Sequence, residues 1–413
     1  MSHPRILALV LAGGEGSRLH PLTAERSKPA VPFRGRYRIV DFVLSNLVNS
    51  GVQSIYLLVQ YRAQSLIEHL RKSWMHSSVI PGHFITLVPP QMREGQEWFK
   101  GTADAVFQNR NLIELHAPDL VAVFGADHVY RMDVSQMLDF HLEHGADISL
   151  AAIPVPVEQA SAFGVIAVDP DGRVMEFQEK PDRPREMPGR PGYALASMGN
   201  YLFNTRVLKR ALREVQHRGE TDFGRHVLPR LLRDHRLYAY DFMSNRIPGV
   251  KLYEEQAYWR DVGTIEAYFD SSMDVLGPEP RFDMFNPQWP IHSSYYDGPV
   301  AKVMNGEIRN SVMAGGAVIK GGTIVNSILR REVVVEPDAV LEDCIILDNV
   351  TIQRGCRLRR VIVDSANSLP PGTRVGFDPA ADQAHYHLDP SGIVVVPQGR
   401  SLWDTDSYFE GEL

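Results

Sequence analysis

A glycine-rich turn near the start of the chain holds residues whose types and spacing suit a polyphosphate. The segment Gly13–Gly16 follows the apolar run Ile6–Leu11, and the cations Arg18 and Lys28 come soon after it. Backbone N–H groups in such a turn can approach phosphate oxygens closely, because glycine has no Cβ atom to intervene. The segment fits neither the Walker pattern nor the Rossmann fingerprint. It predicts a polyphosphate site of another kind, with a plain tight turn as the alternative.

Two aspartates stand in settings suited to a divalent cation. Asp127 follows the apolar run 121–126 and should point from a strand end into a cleft, with a turn or helix cap as its alternative role. Asp261 comes directly after Arg260, so an ion pair with that arginine is the alternative for this residue. Carboxylate oxygens are ligands that Mg²⁺ prefers in proteins. Both aspartates are therefore candidates for a metal site.

Two further segments carry groups that can bind phosphate or a base. Lys180, within Glu179–Pro181, can act as a point-charge phosphate ligand, although taken alone it would be an ordinary surface lysine. The small residues of Gly101–Ala105 open a helix, and a helix N-terminus can admit a flat base or an anion closely. Capping of that helix by Thr102 is the simpler interpretation.

Composition narrows the class of protein. A chain of 413 residues is too long for one ordinary core, so we expect two domains. The net charge of −7 argues against broad nucleic-acid binding, and no apolar run reaches membrane-spanning length. The N-terminus shows no signal-peptide pattern, and Cys344 and Cys356 are too few for a disulfide framework, so we expect a cytoplasmic protein. His141 and His144 lack a metalloprotease order and are interpreted as surface residues.

Up to Leu276 the chain alternates short apolar runs with helical patterns, which predicts an α/β domain over residues 1–276. Such alternation requires crossover connections and a mainly parallel, Rossmann-like sheet. Ligands of these sheets bind beyond the carboxyl ends of the strands, where the glycine turn and Asp127 both fall. The predicted strands are Ile6–Leu11, Ser54–Val59, Phe84–Val88 and Leu120–Phe124, and the predicted helices are Asp41–Asn49, Ala63–Lys72 and Ala103–Leu115.

After residue 276 the alternation of strand and helix patterns ends. Residues 277–300 are rich in proline and aromatic residues, which predicts a connector packed on both domains. Within residues 301–413, aliphatic residues recur every six positions, which is typical of a left-handed parallel β-helix. Because the ends of such a solenoid expose strand edges, we expect this domain to support oligomerisation. The residues in phase are Val312, Val318 and Ile324 and, after one shift, Ile328, Val334, Val340, Ile346, Ile352 and Leu358.

Together these motifs resemble those of the sugar-phosphate nucleotidyltransferases, and in particular the bacterial ADP-glucose pyrophosphorylases. The resemblance covers nearly the whole chain. It implies an enzyme that joins ATP and α-glucose 1-phosphate into ADP-glucose and pyrophosphate, the first committed step of glycogen synthesis. It also implies magnesium as cofactor, a homotetramer, and regulation by sugar phosphates or nucleotides bound between the domains. The matching segments are Leu11–Pro32, Gly101–Ala105, Gly125–Tyr130, Ser161–Gly164, Glu179–Pro181, Ala196–Gly199 and Tyr258–Thr264.

The resemblance implies roles for individual residues. The catalytic residues are Arg18, Lys28 and Asp127, and the magnesium ligands are Asp127 and Asp261. The nucleotide-binding residues are Leu11, Ala12, Gly13, Gly14, Gln60, Gly101 and Thr102. The residues that bind the sugar phosphate are Phe99, Gly164, Glu179, Lys180, Ser197 and Asp222. At position 99 the family usually has a tyrosine, so a ring is kept and a hydroxyl hydrogen bond is lost.

The implied effector site departs from the family pattern at three positions. Arg26 and Arg38 are kept as candidate effector ligands. Glu25 stands where members activated by fructose bisphosphate have lysine, Pro32 replaces a histidine, and Ser365 replaces an arginine. A glutamate in place of a lysine reverses a local charge, which disfavours an anion with two phosphates. We therefore expect a sugar monophosphate to be a better effector than a bisphosphate.

Three other functions fit parts of the sequence. A related nucleotidyltransferase with another base or sugar is disfavoured by segments 161–165 and 259–264, which are specific to the family named above. A catalytically silent regulatory subunit is disfavoured because Arg18, Lys28 and Asp127 are intact. An acyltransferase built on the β-helix is disfavoured because the six-residue repeats contain no histidine to act as a base.

Overall fold

The computed structural model describes residues 4–74, 82–91 and 98–399. Up to residue 276 the strands are β1 (Ile6–Ala12), β2 (Pro32–Phe33), β3 (Tyr37–Arg38), β4 (Ser54–Val59), β5 (Phe84–Val88), β6 (Leu120–Gly125), β7 (His128–Tyr130), β8 (Ile148–Pro156), β9 (Gly164–Val168), β10 (Val174–Glu179), β11 (Tyr193–Asn204), β12 (Leu237–Asp241) and β13 (Trp259–Asp261). The α-helices of this part are α1 (Val40–Asn49), α2 (Gln64–Ser73), α3 (Thr102–Gln108), α4 (Arg110–His116), α5 (Val134–Glu143), α6 (Val157–Ala160), α7 (Thr205–Arg218), α8 (Leu228–Leu231) and α9 (Ile265–Met273). Short helical turns of other types cover Ser17–Leu19, Lys28–Ala30, Phe223–Val227 and Phe242–Ser244.

A mixed sheet forms the centre of this part of the chain. Its order is β10-β9-β11-β6-β1-β4-β5, with β8 and β12 joined to it through β11. β1 lies parallel to β4 and β6, and β4 lies parallel to β5. β11 runs antiparallel to β6, β8 and β9. The predicted α/β class is confirmed, and the parallel strands are those that the strand–helix alternation predicts.

The register of the sheet brings the two candidate phosphate-site segments together. Leu11, near the end of β1, pairs with Gly125, the last residue of β6. Both strands are almost wholly buried aliphatic runs, as expected for a sheet covered on both faces. The glycine turn and Asp127 therefore leave the sheet side by side, at the carboxyl ends of adjacent parallel strands.

Beyond the connector the chain forms the predicted parallel β-helix. Its strands are β14 (Lys302–Val303), β15 (Glu307–Arg309), β16 (Val312–Met313), β17 (Val318–Ile319), β18 (Thr323–Val325), β19 (Ile328–Leu329), β20 (Val334–Val335), β21 (Val340–Ile346), β22 (Thr351–Ile352), β23 (Arg357–Val363), β24 (Ser368–Leu369), β25 (Arg374–Val375), β26 (His387–Leu388) and β27 (Val394–Val396). Equivalent residues on successive coils pair in parallel, as Ile324 does with Leu341 and Leu341 with Leu358. One helix, α10 (Pro379–His385), precedes the antiparallel pair β26–β27. Residues 400–413 of the predicted second domain lie outside the described residues.

The period of the β-helix departs from a strict six-residue repeat. Val318 pairs with Val334, 16 residues later, and Val334 pairs with Thr351, 17 residues later. Each coil is thus shorter than three full repeats, and the phase moves by a residue at some corners. The inward side chains there are the fully buried Ile319 and Val335. The strict repeat is confirmed at the buried Ile324, Ile346, Ile352 and Leu358. It is wrong at the partly buried Val312, Val318, Val334 and Val340, and also at Ile328, because its neighbour Leu329 pairs with Ile346 and takes the inward position.

This corrected phase makes a prediction about stability. Leu341 is fully buried, whereas its neighbour Val340 is only partly buried. We expect Leu341→Ala to lower the free energy of unfolding by about 2–5 kcal/mol, because it leaves a cavity in the core. Val340→Ala should cost less than about 1 kcal/mol. Urea unfolding of the two variants measures both changes, and equal or reversed losses would contradict the observed phase.

The connector packs against both parts of the chain. Trp289 is buried, and Ser293 Oγ donates to Asp41 Oδ2 at the start of α1, at 2.6 Å. On the other side, Ser294 Oγ accepts from Arg331 Nη2 of the β-helix at 2.7 Å. The connector is therefore hydrogen-bonded both to α1 and to the β-helix, as its aromatic composition predicted.

The interpretation of His141 as a surface residue is wrong. Its side chain is almost fully buried, with Nδ1 at 2.9 Å from Ser149 Oγ and Nε2 at 3.4 Å from Asn204 Oδ1. His141 lies on the face of α5 that packs on the sheet, and burial lowers its pKa. His144, one turn later, is exposed as predicted. Every helix of the described residues is too short or too polar to cross a membrane.

Candidate active site

A cleft of about 480 Å³ opens at the carboxyl ends of β1 and β6. Its lining combines the glycine turn after β1, the residues that follow β6, and the end of β10. Most of the candidate site residues meet here, although they come from distant parts of the sequence. Those that line the cleft are Leu11, Ala12, Gly13, Gly14, Arg18, Lys28, Gln60, Phe99, Gly101, Thr102, Asp127, Glu179 and Asp222.

Lys28 lies between the carboxylate of Asp127, which lines the cleft, and that of Asp261, which adjoins the cleft without lining it. Its Nζ is 3.2 Å from Asp127 Oδ2 and 2.9 Å from Asp261 Oδ1. Burial lowers the pKa of Lys28, but the two carboxylates outweigh burial and raise the pKa above its usual value. Burial likewise opposes ionisation of Asp127, whereas His128 and Lys28 hold the pKa of its carboxyl well below the usual range. Lys28 and Asp127 therefore both carry their charges at neutral pH.

The two aspartates also fit a magnesium ion. Asp261 faces His128 across the antiparallel pair β13–β7, and Asp127 directly precedes β7. One possible ligand atom from each of these three residues lies within 4.8 Å of the others, the only such group among the described residues. Two carboxylates supply the hard oxygen donors that Mg²⁺ requires. Lys28 and a metal ion would neutralise the same pair of carboxylates.

The alternative partner for Asp261 is wrong. Arg260 points away from it and forms ion pairs with Glu255 at 2.6 Å and with Asp274 at 3.4 Å. The reason is the alternation of side chains along β13, which places neighbouring residues on opposite faces of the strand. Asp261 therefore pairs with Lys28 instead.

Gln60 holds the backbone of Phe99 at the edge of the cleft. The Phe99 N–H donates to Gln60 Oε1 at 2.6 Å, and Gln60 Nε2 donates to the Phe99 carbonyl at 3.1 Å. The amide of Gln60 is thus used to fix the segment that leads into α3. The Phe99 ring lines the cleft and is largely buried.

Thr102 links two walls of the cleft rather than capping α3. Its Oγ1 donates to Asp222 Oδ2 at 3.0 Å and accepts from the Phe223 N–H at 3.0 Å. Position 101 requires glycine, because a Cβ atom there would lie 2.5 Å from the Thr221 carbonyl oxygen. The start of α3 is therefore packed directly against the segment that carries Asp222.

Glu179 and its neighbours form the opposite side of the cleft. Burial, and then the negative charge of Asp222, raises the pKa of Glu179. Lys180 Nζ is 4.0 Å from Glu179 Oε1, and its side chain is about half exposed. Gly164 lies behind Glu179, since a Cβ atom there would be 3.2 Å from Oε2. Ser197 is buried on β11 next to this wall, so Gly164, Lys180 and Ser197 adjoin the cleft without lining it.

Comparison with known proteins agrees with this geometry. A model for the nucleotidyl transferases matches residues 7–277, and a model for the GlmU-like C-terminal hexapeptide matches residues 299–396. A glucose-1-phosphate adenylyltransferase from Thermodesulfovibrio yellowstonii is 55% identical over 96% of each chain. The enzyme of that name from Thermus thermophilus is 48% identical over 95% of this chain and 98% of its own. The chain belongs to the glucose-1-phosphate adenylyltransferase family. It is a nucleotidyltransferase.

Two side chains of this adenylyltransferase site were missed by sequence reasoning. His128 lines the cleft, with its ring centroid 4.9 Å from that of Trp259. Its position directly after Asp127 was the available signal. Tyr201 also lines the cleft and is buried, with a raised pKa caused by burial. No local signal marks it, because Tyr201 reads as one more core residue of a long apolar strand.

The two candidate effector residues lie away from the cleft. Arg26 Nη1 forms a buried ion pair with Asp364 Oδ1 of the β-helix at 2.9 Å. Arg38 Nη1 donates to the Ala30 carbonyl at 3.0 Å and to Ser65 Oγ at 2.5 Å. Burial, together with the nearby Arg330 and Arg26, lowers the pKa of Arg38 to about 10. Arg26 thus stands at the contact between the sheet domain and the β-helix.

Proposed function

We propose that this chain transfers the adenylyl group of ATP to α-D-glucose 1-phosphate, giving ADP-glucose and pyrophosphate. A phosphate oxygen of the sugar phosphate attacks the α-phosphorus of ATP and forms the new P–O bond. The bond from that phosphorus to the β-phosphate oxygen breaks, and its electron pair leaves with pyrophosphate. The meeting of Lys28, Asp127 and Asp261 beside the glycine turn supports this proposal best. Catalysis then rests on alignment and on neutralising crowded phosphates.

The nucleotide is assigned to the side of the cleft formed by β1 and α3. The N–H groups around Gly13 and Gly14, with Arg18 and Lys28, would hold the triphosphate in line for attack. Leu11 and Ala12 would lie next to the nucleotide. Gln60, Gly101 and Thr102 would form the wall of the pocket for its base. The contacts of Gln60 with the Phe99 backbone support this role, because they rigidify the wall of the base pocket.

The sugar phosphate is assigned to the opposite side. Lys180 would bind its phosphate, and Glu179 and Asp222 would accept hydrogen bonds from sugar hydroxyls. Phe99, Gly164 and Ser197 would shape the pocket. Asp127 and Asp261 would hold magnesium, which neutralises charge on the phosphates and orients them. Because magnesium would neutralise the two carboxylates, Lys28 could then pair with a phosphate oxygen of the substrate.

The proposed reaction has a direct test. Initial rates of pyrophosphate release should be highest with ATP, glucose 1-phosphate and Mg²⁺, and low when the other nucleoside triphosphates or another sugar 1-phosphate replace them. Formation of ADP-glucose should match pyrophosphate release in equal amounts. A higher kcat/KM with another nucleotide or sugar would overturn the substrate assignment, and no turnover with any pair would support a silent subunit.

We also infer how the enzyme is organised. Residues 1–276 would catalyse, residues 277–300 would connect, and residues 301–413 would regulate and assemble the subunits. Exposed apolar residues at the end of the connector (Val300) and on the first coil (Val303 and Met304) support assembly into a homotetramer, which light scattering can test. Cytoplasmic placement is supported by the ATP substrate and by two buried free cysteines.

Regulation is proposed at the contact that contains Arg26 and Arg38, with a sugar monophosphate as activator. We expect fructose 1,6-bisphosphate to activate poorly, because Arg26 is already matched by Asp364 and the exposed Glu25 adds negative charge. Pro32 and Ser365 offer no cation to a second phosphate. Glu25→Lys should lower the half-activating concentration of the bisphosphate by about two- to fivefold, the size expected for an exposed charge pair.

Dose–response curves at subsaturating ATP, with fructose 6-phosphate and glucose 6-phosphate alongside the bisphosphate, make this measurement. Strong activation of the wild-type enzyme by micromolar bisphosphate would contradict the assignment of the effector.

A further inference from the structure

Arg34 is a buried charged residue that belongs neither to the proposed catalytic site nor to the proposed effector site. It lies in the tight turn between β2 and β3, a few residues after Lys28. Its side chain is almost fully buried, and its backbone has φ of +38°, a conformation that favours glycine. The charged group stacks among aromatic rings at 4.5–5.7 Å from the ring centroids. The rings are those of Phe33, Phe42, Tyr258 and Phe282.

The guanidinium of Arg34 makes directed hydrogen bonds to two other elements. Nη2 donates to the Ser271 carbonyl of α9 and to Tyr258 Oη, both at 2.6 Å, and Nε donates to the same carbonyl at 3.1 Å. Tyr258 in turn donates to Asp274 Oδ2 at 2.8 Å. Tyr258 directly precedes β13, the strand that ends at Asp261. Arg34 thus connects the turn after Lys28 to the strand that carries Asp261.

The β2–β3 turn is also firmly attached to the helical turn of Lys28. Arg38 Nη1, from β3, donates to the carbonyl of Ala30 at 3.0 Å, and Tyr268 Oη of α9 donates to the Pro32 carbonyl at 2.6 Å. The Ile39 N–H donates to the Val31 carbonyl at 3.3 Å. A displacement of the turn would therefore move Lys28, whose own one-turn helix ends at Ala30.

Filling this space in the core does not require an arginine. An apolar side chain of similar volume fills an aromatic cage without the cost of burying a charge, and glycine suits the backbone conformation better. Only a guanidinium offers several N–H donors in one rigid, planar arrangement, which we call the donor fork. Through this fork Arg34 fixes the position of the turn relative to α9 and to Tyr258.

We propose that Arg34 is a positioning residue, which fixes Lys28 relative to Asp261 through Tyr258 and α9. The inference rests on the proposed catalytic roles of Lys28 and Asp261. The β-helix holds the same turn from its other side, since the buried Arg330 donates to the carbonyls of Phe33 at 3.1 Å and Tyr37 at 2.9 Å. The β-helix therefore contacts the same short turn that is hydrogen-bonded to the segment of Lys28.

The mildest test is Tyr258→Phe, which removes the hydroxyl and keeps the ring. We expect kcat to fall about tenfold while both KM values stay within about twofold, because the substrate-binding walls are untouched and the reacting groups lose alignment. The matched control is Tyr240→Phe, which deletes another buried hydroxyl, the acceptor of Asn245 Nδ2 at 2.8 Å, remote from the cleft. The control should lose similar thermal stability and keep kcat within about twofold.

A second pair of variants separates strain from positioning. Arg34→Gly relieves the backbone and removes the fork, so kcat should fall at least as far as in Tyr258→Phe. Arg34→Lys, which keeps the charge and one donor direction, should recover part of that loss. Kcat within threefold of wild type in a folded Arg34→Gly enzyme would overturn the proposal. So would losses in Tyr258→Phe that equal those of Tyr240→Phe.

The measurements are made with whichever nucleotide and sugar phosphate the wild-type enzyme turns over best. A different substrate pair would then overturn the proposed function and still decide the role of Arg34. Thermal midpoints of all variants are recorded beside the rates, so that a loss of folded protein is distinguished from a loss of alignment.

Discussion

Asp127→Asn should reduce kcat by at least about a hundred- to a thousandfold while the protein still folds. The carboxylate faces Lys28 at 3.2 Å, lines the cleft, and is one of two oxygen donors proposed for magnesium. The amide keeps the size and shape of the side chain but removes the charge that a divalent cation needs. Losing one charge-stabilising group of an active site typically costs this much in rate. Steady-state rates over a range of Mg²⁺ concentrations measure the loss.

A matched control lies at the other end of the same strand. Asp119 precedes β6 as Asp127 follows it, and its carboxylate accepts from the Arg5 N–H at 2.8 Å on the exposed side. Asp119→Asn removes a comparable charge far from the cleft and should leave kcat unchanged. Activity of folded Asp127→Asn within threefold of wild type would remove Asp127 from the catalytic group.

The carboxylate of Asp127 also sets a pH dependence for stability. The pKa of Asp127 lies below its usual value in the folded chain, so its ion pair with Lys28 stabilises the fold at pH values above the unfolded pKa of about 4. That contribution is lost as the pH falls through the depressed folded pKa. At neutral pH neither Asp127 nor Lys28 titrates, because the pKa of the carboxyl is lowered and that of the ammonium is raised, so the charges of this ion pair stay constant there.

Local patterns predicted the four parallel strands at one side of the sheet, but not the other five strands or their pairing. The predicted strands match β1, β4, β5 and β6 to within a residue, because a buried parallel strand is a short apolar run bounded by turns. The predicted helix Ala103–Leu115 is two helices that meet at Asn109, whose Nδ2 donates to the Ala105 carbonyl at 2.9 Å. The sequence could not predict that β11 runs antiparallel to its neighbours, because a run of apolar residues does not indicate whether a strand pairs in parallel or antiparallel.

In the candidate site, too, the sequence predicted which residues take part but not which of them contact each other. The motifs, and the family that they resemble, named Lys28, Asp127 and Asp261, yet no spacing indicated that the lysine would lie between the two aspartates. Adjacency in the sequence favours Arg260 as the partner of Asp261. Side-chain alternation on β13 separates them, and a residue more than two hundred positions away takes that place. Contacts of this kind depend on the register of the whole sheet.

Lys180→Ala should mainly raise the KM for glucose 1-phosphate, by about ten- to a hundredfold. Lys180 Nζ sits at the sugar side of the cleft, 4.0 Å from Glu179 Oε1, and its half-exposed side chain can turn toward a phosphate. A charge-assisted hydrogen bond of this type is worth about 1.5–3 kcal/mol, which sets the size of the change. The KM for ATP should move much less, because the triphosphate is assigned to Arg18, Lys28 and the glycine turn.

The control for this variant is Arg185→Ala, which removes another exposed cation paired with a carboxylate, that of Glu176 at 2.8 Å, close to the same strand. Both KM values should be unchanged in the control, since Arg185 does not line the cleft. If Lys180→Ala left the glucose 1-phosphate constant unchanged, or moved the ATP constant more, the lysine would belong to the nucleotide side or to the surface. The ratio of the two KM changes therefore decides on which side of the cleft Lys180 acts.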